Sequence, residues 1–129
     1  MTRILGIGLD IVDHGRMQRL LERYGDALLR RVFRAGEVRV ASGPGRAAHV
    51  AGLFAAKEAA MKALGTGWSA GVGFLQIEVL RQVSGAPALQ LHGEAQRRAE
   101  ALGVEDLWLS ISHDGPSAVA VVVLEGVKP

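Results

Sequence analysis

Residues 46–64 read RAAHVAGLFAAKEAAMKAL, and this stretch decides the architecture. Alanine, leucine, lysine and glutamate are strong helix formers, so the composition predicts one helix over the whole run. Val50, Leu53, Phe54, Met61 and Leu64 supply apolar packing. Ala51, Gly52, Ala55, Ala56, Ala59, Ala60 and Ala63 are small enough to let a neighbouring element approach closely. Gly65-Thr66-Gly67 stops the helix.

Upstream, residues 3–12 read RILGIGLDIV. Apolar residues recur with a period near two, which predicts a strand. Gly6 and Gly8 are costly inside a strand and point to a bulge, close packing or a ligand near the backbone. Residues 14–31 read as helical, with Asp13 as N-cap and Gly25 ending or interrupting the run. Met17, Leu20, Leu21, Tyr24 and Leu28 form its apolar stripe, and Arg16, Arg19 and Arg23 share another face. Residues 32–37 carry no clear signal, and residues 41–45, ASGPG, form a loop.

Downstream, residues 68–73 form a glycine-containing loop. Residues 74–83 and 88–92 read as a hairpin turned by Gly85-Ala86-Pro87. Residues 93–102 form a short helix, with Arg97 and Arg98 in its middle. Residues 107–112 form a strand, 113–116 a turn, and 117–125 a nearly all-apolar strand expected at the centre of a sheet. There is no internal repeat. The order β-α-α-β-β-α-β-β predicts an α+β fold: a single domain over residues 1–129, with helices packed on a largely antiparallel sheet.

The 129 residues, 49% hydrophobic, suit one domain with a real core and rule against disorder. They leave little room for a deep cleft around a large substrate, so a subunit interface is a natural place for one. The absence of cysteine excludes disulfides, zinc–thiolate and iron–sulfur sites and a cysteine nucleophile. The apolar run before Asp10 is too short for a signal peptide, and residues 118–124 are too short to span a bilayer. A cytoplasmic protein without a membrane partner is expected. The net charge is +2, but residues 1–60 carry ten basic and six acidic groups, against five and seven in residues 61–129. That asymmetry suits an anionic ligand or partner of the first half. Aromatics are only 5%, without the aromatic–basic alternation of an RNA-binding surface, so no nucleic-acid partner is expected.

Three places set polar groups in apolar surroundings. Asp10 lies in the first strand, where a buried carboxylate must cap a turn, pair with an arginine or bind a metal. Glu58 and Lys62 lie four apart on the long helix. They form either a surface ion pair or, with Lys57, a metal–phosphate site in which the carboxylate holds Mg²⁺ and the lysines neutralise phosphate oxygens. The third is Ser110-Ile111-Ser112-His113-Asp114 at a strand end. Contiguous residues rarely make a triad, since strand neighbours point to opposite faces, and no G-x-S-x-G is present. His113 is a phosphate donor, a base or a turn residue. Gly6-Ile7-Gly8 does not complete G-x-G-x-x-G, and Walker A and H-E-x-x-H are absent. His14, His49 and His92 show no metal spacing; His14 suits a helix start and His49 a helix face.

Taken together, these places resemble the holo-[acyl-carrier-protein] synthase family, the small class of 4′-phosphopantetheinyl transferases. The family's G-x-D-(I/V/L) strand resembles Gly8-Leu9-Asp10-Ile11 here. Its F-x-x-K-E-x-x-x-K-A-x-G helix resembles residues 54–65, and its S-(I/L)-S-H segment resembles Ser110-Ile111-Ser112-His113. The resemblance covers residues 3–125 in order. It implies the transferase fold and transfer of the phosphopantetheine arm of coenzyme A to a serine of apo-acyl carrier protein. Adenosine 3′,5′-bisphosphate is released and Mg²⁺ is needed. The carrier is one of fatty acid or polyketide synthesis.

By the same resemblance, Asp10 and Glu58 ligate Mg²⁺, and Lys62 binds a phosphate oxygen and steadies the leaving group. His113 lies near the nucleotide and pyrophosphate. Arg46 sits near the 3′-phosphate, and Gly65 belongs to the coenzyme-binding motif. The base is Glu58, through water, or a metal-bound water. The resemblance also implies a homotrimer with active sites between subunits, and an arginine face of Arg16, Arg19 and Arg23 that meets the acidic helix of the carrier. There are two departures. Leu53 stands where the family often has Arg or Lys, and the loop over residues 38–45 is short; both touch the 3′-phosphate contacts. They leave a non-catalytic coenzyme A or nucleotide-binding module as the alternative. A basic docking protein for an acidic helical partner is the third class.

Overall fold

The computed structural model describes residues 1–67 and 69–129; Trp68, expected in a loop, lies outside the described residues. Strand β1 covers Arg3–Asp13, β2 Ile77–Arg81, β3 Pro87–Leu91, β4 Val104–Asp114 and β5 Ser117–Gly126. Helix α1 covers His14–Tyr24, α2 Asp26–Val32, α3 Arg46–Leu64 and α4 Gly93–Leu102. The strands form two antiparallel sheets, one of order β1-β5-β4 and one of β2 with β3. The apolar β5 takes the central place its composition predicts, and the fold is the expected α+β arrangement.

Helix α3 lies against the inner face of the three-stranded sheet and is buried nearly all round. Its alanines at 55, 56, 59, 60 and 63 are all buried. The close approach is made possible from the strand side. A Cβ on Gly6 would sit 2.2 Å from the Ala63 carbonyl oxygen, and one on Gly8 would sit 1.7 Å from that of Ala59. Those glycines therefore serve packing, and the one register shift of β1 against β5 falls beside them, between Ile4 and Gly6. The left-handed Gly65, at φ 76°, ends α3, and Arg98 donates to the Leu64 carbonyl at 3.0 Å.

Lys57 departs from its expected part in a metal–phosphate site. Its Nζ lies in the core, fully buried, and donates to Glu37 Oε1 at 2.9 Å, Phe74 O at 3.0 Å and Ile77 O at 2.7 Å. Glu37 in turn accepts from the N–H groups of Arg34 at 2.7 Å and Val79 at 2.9 Å. Every donor of the ammonium is used, which is the condition for keeping a charge inside. The same bonds shorten the strand expected over residues 74–83. Phe74–Gln76 forms a 3₁₀ turn because the Phe74 carbonyl faces the ammonium, and β2 begins only at Ile77.

Two further boundaries move. Gly25, at φ 51°, splits the first helical run into α1 and α2. The β4–β5 turn contracts to Gly115-Pro116, and His113 and Asp114 join β4, paired with Ala118 and Ser117. The outer face of the three-stranded sheet stays bare. Its rows are Ile7–Val123–Trp108, Leu9–Val121–Ser110 and Ile11–Val119–Ser112. Ile7, Leu9, Ile11 and Trp108 are 57–64% exposed.

Lys57→Ala should cost about 3–5 kcal/mol in urea unfolding, because Glu37 is left buried and unpaired. Lys62→Ala, at an exposed pair, should change stability by less than about 1 kcal/mol in the same assay. Equal losses would contradict this division between the two lysines.

Candidate active site

Gly6, Gly8 and Asp10 are alternate residues of β1, so all three face α3. The glycines bring the helix down onto the strand, and Asp10 then meets its last turns. Lys62 Nζ donates to Asp10 Oδ1 at 3.0 Å and to the Leu9 carbonyl at 3.0 Å. The Asp10 side chain is mostly covered, while Lys62 is half exposed. Glu58 lies one turn back on α3 and is partly buried. Lys62 thus pairs with Asp10; among the described residues it forms no ion pair with Glu58.

Burial raises the Glu58 pKa, and the charge of Asp10 raises it further. Lys62 and Arg16 act in the opposite direction. A partly buried carboxyl whose ionisation is opposed by a neighbouring carboxylate marks a place where a cation is favoured. Among the described residues there is no group of three or more His, Asp or Glu able to hold a metal. A two-carboxylate set suits only an ion that takes most of its shell from water and substrate oxygens, as Mg²⁺ does.

Arg16 reaches this centre electrostatically from α1, whose start is capped by Asp13 Oδ2, which accepts from Arg16 N at 2.8 Å. Arg16, Arg19 and Arg23 are exposed, with Arg23 over the Tyr24 ring at 5.3 Å. Gly65 follows Lys62 by three residues and supplies the left-handed cap.

His113 is not beside the carboxylates. It lies two strands across from β1, in the row of Val12 and Ala118. Its ring fits over Gly52, where a Cβ would lie 3.2 Å from Cε1 and Nε2. Its Nδ1 is 3.1 Å from His14 Nε2, so one of these imidazoles donates to the other. Burial lowers the His113 pKa, and His14 lowers it further. His14 is thus the ring partner of His113, a role its place at a helix start did not suggest.

Beside His113 opens a cavity of about 270 Å³ lined by His49, Gly52, Leu53, Arg81 and Ile111, among others. Arg46 does not join it. It stands at the start of α3 and lines a separate cavity with Gln18, Glu22 and Ser42, its buried Nε without a hydrogen-bond partner among the described residues. The expected residues therefore fall into an acidic centre (Asp10, Glu58, Lys62), a basic cavity (His113, with His49 and Arg81) and the separate Arg46. Arg81 carried a signal only in hindsight: it continues the alternation of Ile77 and Val79.

Residues 6–122 match the 4′-phosphopantetheinyl transferase superfamily. The holo-[acyl-carrier-protein] synthase of Solidesulfovibrio magneticus is 51% identical over 123 residues, which is 95% of this chain and 99% of that protein. The chain belongs to the holo-[acyl-carrier-protein] synthase family. Solved structures agree. The family's enzyme from Neisseria meningitidis superposes with a TM-score of 0.84 at 32% identity, over 95% of this chain and 98% of that one. The Helicobacter pylori enzyme, solved in complex with coenzyme A, gives 0.81 at 33% identity, over 92% and 98%.

A carboxyl whose folded pKa exceeds its unfolded one stabilises the fold below the unfolded pKa. That contribution is lost as pH rises through the folded pKa. Charged Glu58 therefore costs stability at neutral pH. Glu58→Gln should melt above wild type at pH 7, with the gap closing as the pH falls through the raised Glu58 pKa to the ordinary carboxylate value. Calorimetry across that range checks this, and a variant that melts lower at pH 7 would contradict it.

Proposed function

We propose that this chain is a holo-[acyl-carrier-protein] synthase. Residues 1–129 act as one transferase domain that moves the 4′-phosphopantetheine arm of coenzyme A onto a serine of an apo-acyl carrier protein. The observation that carries the reading is the convergence of Asp10, Glu58 and Lys62 in a chain related along its length to such synthases.

In the reaction the serine Oγ attacks the phosphorus that bears pantetheine. The bond to the bridging oxygen breaks, and adenosine 3′,5′-bisphosphate leaves. Asp10 and Glu58 are the residues to hold Mg²⁺, which when bound neutralises charge on the pyrophosphate. The charge of Asp10, which opposes ionisation of Glu58, supports that assignment. Lys62, half exposed beside Asp10, turns to a phosphate oxygen and steadies the leaving group. Glu58 is the residue placed to take the serine proton through water. His113 donates to the nucleotide end, with His14 fixing its ring. Arg46 and Gly65 complete the coenzyme-binding set. Arg16, Arg19 and Arg23 meet the acidic face of the carrier and speed encounter.

The chain works as a homotrimer. The bare apolar sheet face of Ile7, Leu9, Ile11, Val121 and Trp108 supports this, because contiguous exposed apolar surface of that kind marks an interface. The separation of acidic centre from basic cavity within one chain suits sites completed between subunits. Among the described residues no helix is long and apolar enough to cross a membrane.

Mass spectrometry of apo-carriers of fatty acid and polyketide synthesis, run side by side with coenzyme A and Mg²⁺, tests the transfer. A phosphopantetheine adduct is expected with at least one carrier, and Asp10→Ala or Glu58→Gln should lower kcat about 100-fold or more. Binding of coenzyme A without any adduct would sink the reading. For the assembly, Leu9→Glu should convert a trimer to monomer in light scattering; a wild type that is already monomeric would refute it.

A further inference from the structure

The basic cavity holds groups of unequal reliability as cations. His49 Nε2 accepts from the Arg39 N–H at 2.9 Å, so only its Nδ1 carries a proton in the neutral ring. Burial lowers the His49 pKa first, and Arg81, Arg39 and His113 lower it further. The His113 pKa is lowered too. At neutral pH both rings are therefore largely uncharged donors. Arg39 lines the adjoining recess, beside Glu37. Leu53, buried at the cavity floor, offers no hydrogen bond.

Arg81 differs from all of these. It is the last residue of β2 and alternates with Ile77 and Val79, both buried against the core. Its side chain therefore leaves the hairpin on the inward face and lines the cavity beside Leu53 and His113. Nη1 donates to the Gly85 carbonyl at 3.0 Å, which ties the guanidinium to the hairpin turn. Among the described residues it has no carboxylate partner. A tethered, always-charged fork with free donors is suited to a phosphate monoester.

We propose that Arg81 is the specificity-determining residue for coenzyme A in this chain, and that its guanidinium binds the 3′-phosphate from the hairpin side of the cavity. The inference rests on the transferase reading above, in which the pyrophosphate goes to Asp10, Glu58 and Lys62. That leaves the 3′-phosphate as the second anion. The apolar floor of Leu53 and Ile111 then packs against the nucleotide body, while the charge comes from the opposite wall.

Steady-state transfer with coenzyme A and with 3′-dephospho-coenzyme A separates this from a structural role. Arg81→Gln should raise KM for coenzyme A about tenfold, with kcat and the KM for the dephospho substrate unchanged within about twofold. Arg81→Lys should recover part of the loss. Equal loss with both substrates, or none with either, overturns the inference. Calorimetric binding of the same two ligands does not depend on transfer. Arg81-dependent discrimination there, with no carrier modified, would uphold Arg81 and overturn the transferase reading. Transfer without discrimination would do the reverse.

Discussion

No side chain fits between β1 and α3 at Gly6 and Gly8. A methyl at either place would overlap a carbonyl oxygen of the helix, a backbone atom that cannot swing aside. The helix answers with alanines, so two backbones meet with little between them. This contact sets the height of α3 above the sheet and its register along β1. Two residues on, the strand resumes a side chain, and that side chain is Asp10. Its carboxylate reaches the helix at Lys62 because the glycines have already brought the helix within range. The site is in this sense the first place where the packed interface opens.

Such a helix cannot be amphipathic in the usual way, since it is covered on nearly every side. The one ammonium it buries needs complete satisfaction, and Lys57 receives it from Glu37 and two carbonyls. These bonds fasten the segment after α2 and the 3₁₀ turn before β2 to the middle of α3. Neighbouring residues Lys57 and Glu58 therefore have unlike tasks. Lys57 points into the core and holds the hairpin, while burial and the charge of Asp10 make ionised Glu58 costly. A carboxyl whose ionisation is opposed at the site, beside charge fully neutralised in the core, is the pattern expected where binding energy is reserved for a ligand.

How far this could be read beforehand depends on the range of each interaction. Helix α3 was legible from end to end, because propensity, small residues and the terminal glycine all act locally. The central place of β5 followed from its unbroken apolar run. Asp10, Glu58 and Lys62 could be grouped by resemblance, and Gly6 and Gly8 hinted at the contact that joins them. The Glu37–Lys57 pair was out of reach: it spans twenty residues, and one partner lies in a segment without periodic signal. For the same reason residues 74–76 looked like strand, since their alternation is real but their carbonyls are claimed from elsewhere. His14 beside His113 depends on β1 and β4 flanking β5, a fact of topology that no local pattern encodes.

The same topology separates the two charged regions. Asp10 lies on β1 and His113 on β4, with the whole width of β5 between them. The face of α3 toward β1 carries Glu58 and Lys62, while Gly52 and Leu53 open toward β4 and the hairpin. Coenzyme A presents a pyrophosphate and a separate monoester, so it makes demands of both kinds. A chain of this length has too little surface to curl one region round to the other. Association through the bare sheet face, as proposed, would resolve this without lengthening the chain. It would cover the exposed rows of β1, β5 and β4 and set the acidic centre of one copy against the basic cavity of another. Burial of apolar surface and completion of the site would then be one event. An isolated subunit would keep its helix, its sheet and its ion pair, yet hold only half of what the coenzyme needs.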